Sequence, residues 1–364
     1  MRKRQQSLWA DPRHRRLGKR SALAVGGIAV AFVWVLYSWW SCGSDGDCWL
    51  GERISMVSES HLSPNYDPSE ANQKILVYDF AGVRTLKFGE LSHVRQSSAV
   101  LGDPDIFTMP VACHLAAAIL TLCDQPPKRV LIFGMGGGML PAFVQHHFPD
   151  AHITVVDLEK EVVRLALDHF NVKKTQSLET VISDGRRWMN AFVQEGLPAS
   201  QRYDLIIQDA CAGHPCSLVT AEAYAAYRDA ALTDRGILMQ NMFGASARVV
   251  RTMQHAFENL ALLETGYESK IVIASKKGSK PLSHADAVSR AHFLKDMKVG
   301  PRCYYHGLRH GQTDDVATII ERGYSPANAP LLAVEIIRDS DPEVQDLEKK
   351  RWASADETLD VVVK

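Results

Sequence analysis

The sequence predicts an α/β protein whose centre is a doubly wound, mostly parallel sheet with an antiparallel last strand. Three observations carry that expectation. From Arg129 to about residue 260, short β-like runs alternate regularly with helical ones, the signature of successive βα units. The strands are continuous apolar runs such as VLIF and LII, as strands covered on both faces must be. The first of them opens straight into the glycine-rich turn GMGGG, residues 134–138, and then into a helix.

Each element follows in order. The first 20 residues hold eight Lys and Arg against one acid, Asp11, although the whole chain of 364 residues has a formal net charge of −1. Behind this basic tail (1–21), the run 22–40 (ALAVGGIAVAFVWVLYSWW) carries no charge over 19 residues. At about 1.5 Å per residue it covers roughly the 30 Å hydrocarbon core of a lipid bilayer. Trp34, Tyr37, Trp39 and Trp40 crowd its second half, as at a membrane interface. We therefore expect a retained N-terminal transmembrane helix and a single-pass membrane protein. A cleaved signal peptide wants small residues where Trp39 and Trp40 stand, and a mitochondrial targeting segment is amphipathic. The positive-inside rule puts the N-terminus in the cytoplasm; the side on which the main domain lies is left open. Cys42 and Cys48, just past the run, pair in an oxidising compartment or stay free or palmitoylated in the cytosol.

Residues 41–72 read as a linker with one strand at 54–57. Runs at 74–78, 83–88 and 93–98, with Gly82 and Gly89 at the turns, make a small antiparallel β unit over 73–110. The main domain, 111–275, begins with an apolar helix at 110–123. It continues as strand Arg129–Phe133, helix Met139–His147, strand 153–156, helix 160–170, strand 180–182, helix 186–193, strand 203–207, helix 221–231, strand 236–240 and helix 247–260. An antiparallel pair at 262–265 and 270–274 closes it. After Lys276 the pattern weakens to one helix at 284–298 and a charged tail, so 276–364 is read as a C-terminal α/β extension without a motif.

Composition excludes some functions. With 46% hydrophobic and 23% charged residues the chain is ordinary for a globular protein. Its charge balance gives no global pull towards nucleic acid, and no basic patch is interleaved with aromatics. The Lys276, Lys277, Lys280 patch reads as a solvated loop. The seven cysteines include no CxxC pair, so no metal site is expected. Trp188, Trp352 and Tyr304-Tyr305 read as packing residues.

Four features then converge outside the carboxyl ends of the parallel strands, where ligands bind in open α/β sheets. Gly134, Gly136, Gly137 and Gly138 let the backbone approach a ligand closely at a helix N-terminus. Asp157, with Leu158 after it, ends the next strand, 19 residues beyond Gly138. An acid there accepts hydrogen bonds from ribose hydroxyls; the alternative is a cap for the following helix. Asp184-Gly185 follows the third strand, where a carboxylate meets an adenine amino group or caps the helix at Arg186. Asp209 follows the strand YDLII and is the candidate catalytic group.

Together these residues resemble class I S-adenosyl-methionine (SAM)-dependent enzymes with a Rossmann-like methyltransferase domain. More narrowly they resemble the spermidine synthase superfamily, from about Lys74 to Ala274. The stretch FGMGGGMLPAFVQHHFPDAHITVVDLEKEVVRLALDHFNV looks closest to two branches. One is bacterial spermidine-synthase-like proteins; the other is methyltransferase-like proteins that methylate translation elongation factor 1A. The NMFGAS segment, 241–246, has counterparts in both. The resemblance implies SAM or decarboxylated SAM as cofactor, adds Gln96 as a contact to its methionine-like tail, and allows a homodimer.

The departures from the family bear on the reaction. True aminopropyltransferases carry GGGDGG, where Gly137 replaces the Asp. Their DSSDP-type loop reads DACAGHP here, so Asp209 keeps the first acid and Ala212 replaces the second. Phe107 and Met109 stand near their Tyr and Glu positions. A polyamine is a multiple cation and needs those acids, whereas methyl transfer mainly needs a nucleophile held in line. The expectation is therefore a membrane-anchored SAM-dependent methyltransferase acting on a protein or small amine. The alternatives are an aminopropyltransferase using decarboxylated SAM and a non-catalytic, membrane-tethered nucleoside-binding scaffold. His214, Cys211 and Cys216 read as small or exposed loop residues.

Overall fold

The computed structural model describes residues 54–63, 73–89, 95–196, 198–211, 216–243, 247–266, 269–276, 282–326, 334–352 and 361–363. The basic tail, the run 22–40, Cys42, Cys48, Ala212 and His214 lie outside the described residues, and the transmembrane expectation with them. Among the described residues no helix is long and apolar enough to cross a membrane.

Two sheets build the described part. The smaller one takes β1 (Ser55–His61), β2 (Lys74–Phe80), β3 (Val83–Phe88), β4 (Arg95–Ala99) and β5 (Ile106–Phe107) as an antiparallel series. Helix α1 (Pro110–Leu122) leads from it to the larger sheet, with Pro110 in its first turn, where no amide partner is lost. There β6 (Arg129–Phe133), α2 (Met139–His147), β7 (His152–Asp157), α3 (Lys160–His169), β8 (Leu178–Ile182), α4 (Gly185–Glu195) and β9 (Tyr203–Gln208) alternate as expected. Helix α5 (Ala221–Ala226) ends in a π turn at Tyr227–Ala231, and β10 (Leu232–Phe243), α6 (Ala247–Ala256), β11 (Asn259–Glu264) and β12 (Ser269–Ser275) complete the domain.

The strand order is β8-β7-β6-β9-β10-β12-β11. β6 to β10 are parallel, and β12 is antiparallel to both its neighbours. The chain winds outward from β6 through β7 to β8, then returns to β9 on the other side of β6. The switch point therefore lies between β6 and β9. Side chains alternate along each strand, so the sheet has two cores. Val130, Ile132, Val155 and Ile207 face one way towards α1, α2 and α3. Leu131, Phe133, Val156 and Ile206 face the other, towards α4, α5 and α6. Trp188, partly buried, packs on that second core against Phe133 and Phe192.

The structure corrects several boundaries. β1 runs to His61, through the stretch read as linker, and pairs with β2 over most of its length. Leu260, assigned to a helix, sits in β11, because α6 stops at Ala256. The largest difference is after Lys276. α7 (His284–Asp296) is the expected helix, but β13 (Arg302–Cys303) and β14 (Asp314–Asp315) extend the small sheet beyond β5. α8 (Val316–Gly323) buries Val316, Ala317, Ile319 and Ile320, and β15 (Tyr324–Pro326) then joins β11. Beyond α9 (Pro342–Trp352), β16 (Val361–Val363) pairs with β8. The C-terminal region is thus woven into both sheets. A disulfide between Cys113 of α1 and Cys303 of β13 ties it to the core. Strands of two or three residues carry no readable period, which is why the sequence did not show them.

Candidate functional site

The loops after β6, β7, β8 and β9 meet at one end of the large sheet. Backbone hydrogen bonds stitch their starts together: Gly134 N donates to Val156 O (2.9 Å), Ser183 N to Asp157 O (3.0 Å) and Asp209 N to Phe133 O (3.0 Å). They open on a cavity of about 780 Å³, within the roughly 300–1,000 Å³ of small-molecule sites. Gly134, Gly136, Asp157, Leu158, Asp184, Gly185, Asp209 and Gln96 all line it. Gly138 does not. With φ at 68° it starts α2, and a Cβ there would lie 2.0 Å from Val172 Cγ2. The missing Cβ at this position makes room for Val172.

Gly134 has φ at 95°, and a Cβ would stand 3.1 Å from the backbone of Asp209 and Ala210. Only glycine lets the β6 and β9 loops approach this closely. A Cβ at Gly137 would lie 2.8 Å from Ser97 Oγ and 3.0 Å from the Phe170 ring. The aspartate that aminopropyltransferases carry at this point does not fit against β4 and Phe170 as they stand.

Asp157 holds this loop in place. Its Oδ2 accepts from Met135 N (2.6 Å) and its Oδ1 from Glu159 N (2.8 Å). The cap of α3 is instead Glu159, which accepts from Glu161 N and from Ser63 N. Burial pushes the Asp157 carboxyl up to about 6, against the two backbone donors that favour its charge. Each carboxylate oxygen accepts two hydrogen bonds at ease, so both keep capacity for a ligand hydroxyl. Asp184 does cap its helix, its Oδ1 accepting from Arg186 N (2.9 Å) and Arg187 N (3.0 Å). Capping and the cavity wall are therefore one position. Gln96 precedes Ser97, the residue of β4 that abuts Gly136 and Gly137.

On the β9 side, Asp209 lines the cavity as a half-buried residue, and the loss of water around its carboxyl likewise pushes it up to about 6. Asn241, at the end of β10, donates from Nδ2 to Asp209 Oδ1 at 2.7 Å. The other amide atom, Asn241 Oδ1, is buried and has no partner. Such an orphan acceptor is costly unless a ligand satisfies it. Behind the pair runs a buried polar string. Tyr224 OH donates to Gln240 Oε1 (3.4 Å), Gln240 Nε2 to Gln208 Oε1 (2.9 Å), and Gln208 Nε2 to Cys211 Sγ (3.2 Å). Sequence reasoning missed Asn241, Gln208 and Gln240. Their signal was a polar side chain ending an otherwise apolar strand, in IIQD and LMQN. Cys211 and Cys216 are not independent loop residues but are disulfide-bonded to each other. Met109 lines the cavity, while Phe107 is fully buried against Phe143.

Residues 113–261 match the family described as the spermine/spermidine synthase domain. The chain carries a spermidine synthase domain. This domain spans α1 to β11 and contains every glycine and acid described above. Over 179 residues the chain is 27% identical to the polyamine aminopropyltransferase of Vibrio vulnificus, covering 48% of this chain and 57% of that protein. Over 85 residues it is 31% identical to the eEF1A lysine and N-terminal methyltransferase of Mus musculus, covering 23% of this chain and 12% of that protein. The chain therefore spans little more than half of the first relative and a small part of the second. Relatives of the synthase domain thus include both aminopropyltransferases and methyltransferases, two kinds of transferase. A probable spermidine synthase from Corynebacterium glutamicum shares the fold, with a TM-score of 0.53 at 17% identity, over 71% of this chain and 99% of that one.

Proposed function

We propose that this protein is a membrane-anchored, SAM-dependent methyltransferase acting on an amine of a protein or small molecule. The observation that carries the reading is the division of acids around the cavity. Among the described lining residues four are acidic: Asp157, Glu159, Asp184 and Asp209. The first three are engaged by backbone N–H groups at the ends of β7 and β8. Asp209 alone is left on the β9 side, with apolar Met109 on the wall where a polyamine site wants an acid.

The residues present fit a nucleoside. Gly134 and Gly136 line the cavity as bare backbone, and the carboxylate of Asp157, which accepts from Met135 N, stands beside them. Asp157 and Leu158 would hold the ribose, Asp184 and Gly185 the adenine, and Gln96 the amino-acid tail. When bound, SAM supplies a methyl group already activated by its sulfonium. The chain then has only to place the acceptor nitrogen and take its proton. Above pH about 6 Asp209 is ionised and accepts an N–H of the amine. Asn241, fixed by its bond to Asp209, turns its orphan Oδ1 to a second N–H of the same group.

Aminopropyl transfer from decarboxylated SAM is the second reading, favoured by the synthase-domain match. Gly137, Met109 and, in sequence, Ala212 stand against it. Calorimetry on the full-length chain with SAM and with decarboxylated SAM, followed by mass analysis of amine acceptors, separates the two. A gain of one methyl group supports the proposal; preference for decarboxylated SAM with aminopropyl gain replaces it, and binding of neither refutes both. The uncharged run 22–40 behind eight cations supports the membrane anchor. Resistance of the protein to alkaline carbonate extraction from membranes tests it, and release into the supernatant refutes it.

A further inference from the structure

The turn before β5 and the far end of α2 bring together three metal-ligating side chains that the transferase reading does not use. Asp105, His146 and His147 place one ligand atom each within 4.8 Å of one another. The carboxylate bridges the two rings: His147 Nε2 lies 2.8 Å from Oδ1 and His146 Nε2 lies 3.8 Å from Oδ2. The side chains of Asp105 and His147 are 18% and 11% exposed, while His146 is 54% exposed, so the group is half sunk with one side open to water.

Its parts are held by the fold. The His147 ring packs on Phe143, centroids 4.4 Å apart. Asp105 is fixed through its backbone, its carbonyl accepting from Arg302 N at 2.7 Å and its amide donating to Asp103 Oδ1 at 3.2 Å. Arg302 and Asp103 close the ring with an ion pair. The two histidines sit in the last turn of α2, where the helix dipole favours positive charge.

We propose that Asp105, His146 and His147 form a zinc site. Two imidazoles and one carboxylate are a zinc donor set, with water completing a tetrahedron. They are too few in oxygen for calcium or magnesium. Bond lengths of about 2.0–2.2 Å require ligand atoms about 3.3 Å apart. The His147–Asp105 pair opens slightly to reach this, and the exposed His146 swings inward. The site clasps three parts of the chain: the small sheet through Asp105, the large sheet through α2, and the C-terminal region through the Arg302 bond. It stands at the opposite end of α2 from the cofactor cavity, about 12 Å along the helix at 1.5 Å per residue. Its role is therefore to brace the fold, not to join the chemistry. The cysteine count that argued against zinc in the sequence was blind to it, because Asp105 is brought to the histidines only by folding.

The test uses the full-length chain, stripped with chelator and titrated with zinc chloride, with magnesium chloride as control. His146→Ala is the informative variant, because it removes a ligand but leaves the His147–Asp105 bond. The wild type should bind one more equivalent of zinc than His146→Ala, or bind that equivalent at least about tenfold tighter. Zinc should raise its thermal midpoint, and magnesium should not. In the variant the zinc-induced rise should vanish while the zinc-free midpoint stays near that of the wild type. Cobalt should give the visible absorption of a tetrahedral site in the wild type alone. Equal zinc binding by the two proteins, or a midpoint that zinc leaves unmoved in the wild type, overturns the proposal.

Discussion

Replacing Asp157 by Ala tests the cofactor pocket most directly. In the structure its carboxylate accepts from Met135 N at 2.6 Å and from Glu159 N at 2.8 Å. The substitution leaves two amides without that acceptor, at about 1–3 kcal/mol each if no water replaces it. Part of this is offset, because the carboxyl is pushed up to about 6 by burial, and its charge at neutral pH is itself a cost. The net loss of stability should be modest, on the order of 1–3 kcal/mol. The loss of ligand affinity should be larger. Two charge-assisted bonds to ribose hydroxyls contribute about 1.5–3 kcal/mol each, which is about 10²- to 10⁴-fold in dissociation constant. Calorimetry with SAM reads this, and circular dichroism checks that the variant is folded. The pH dependence has a definite sign. The folded carboxyl titrates above its unfolded value, so the ligand-free protein takes up protons on folding. Its stability should fall as pH rises from about 4 to about 6, and ligand affinity should rise over the upper part of that window as the acceptor ionises. A folded Asp157→Ala protein that binds SAM within about threefold of wild type, below the loss of a single such bond, would mean that the pocket has been assigned to the wrong residues.

Asp209→Asn should abolish most turnover while leaving SAM affinity nearly unchanged. In the wild type kcat/KM for the amine, at saturating cofactor, should show a limb that rises through pH about 6 as Asp209 ionises, below the further rise as the free amine loses its proton, near pH about 10 for a lysine side chain; a profile without the lower limb refutes the role of Asp209. Gly138→Ala introduces a Cβ 2.0 Å from Val172 Cγ2 at a φ of 68°. It should lower stability by about 2–4 kcal/mol, measured by urea unfolding, and a change below 1 kcal/mol would show that α2 begins differently. Reducing the Cys113–Cys303 bond opens a loop of 190 residues in sequence and should lower stability by about 2–5 kcal/mol. Peptide mapping without reductant should recover the two cysteine peptides joined.

The sequence by itself determined the frame of the large sheet and brought out most of the glycines and acids that line the cavity at its carboxyl end. Buried parallel strands must be apolar along their whole length, a turn that approaches a ligand must be glycine, and an acid must end the next strand. These demands act within a few residues, so they are written locally. It grouped Gly138 with the cavity-lining glycines, because a glycine required for helix packing looks the same as one that lines a cavity. It also divided helix-capping from cavity roles that Asp184 holds together. What only the tertiary structure decided depends on residues far apart in the chain. The orphaned oxygen of Asn241 exists because β10 lies beside β9 and sets it on Asp209. The pairing of Cys113 with Cys303 joins a helix to a two-residue strand 190 positions away. The bond between His147 and Asp105 crosses from one sheet's helix to the other sheet's turn. No local pattern encodes such meetings, because the residue types are ordinary and only the packing of the two sheets brings them within bonding distance.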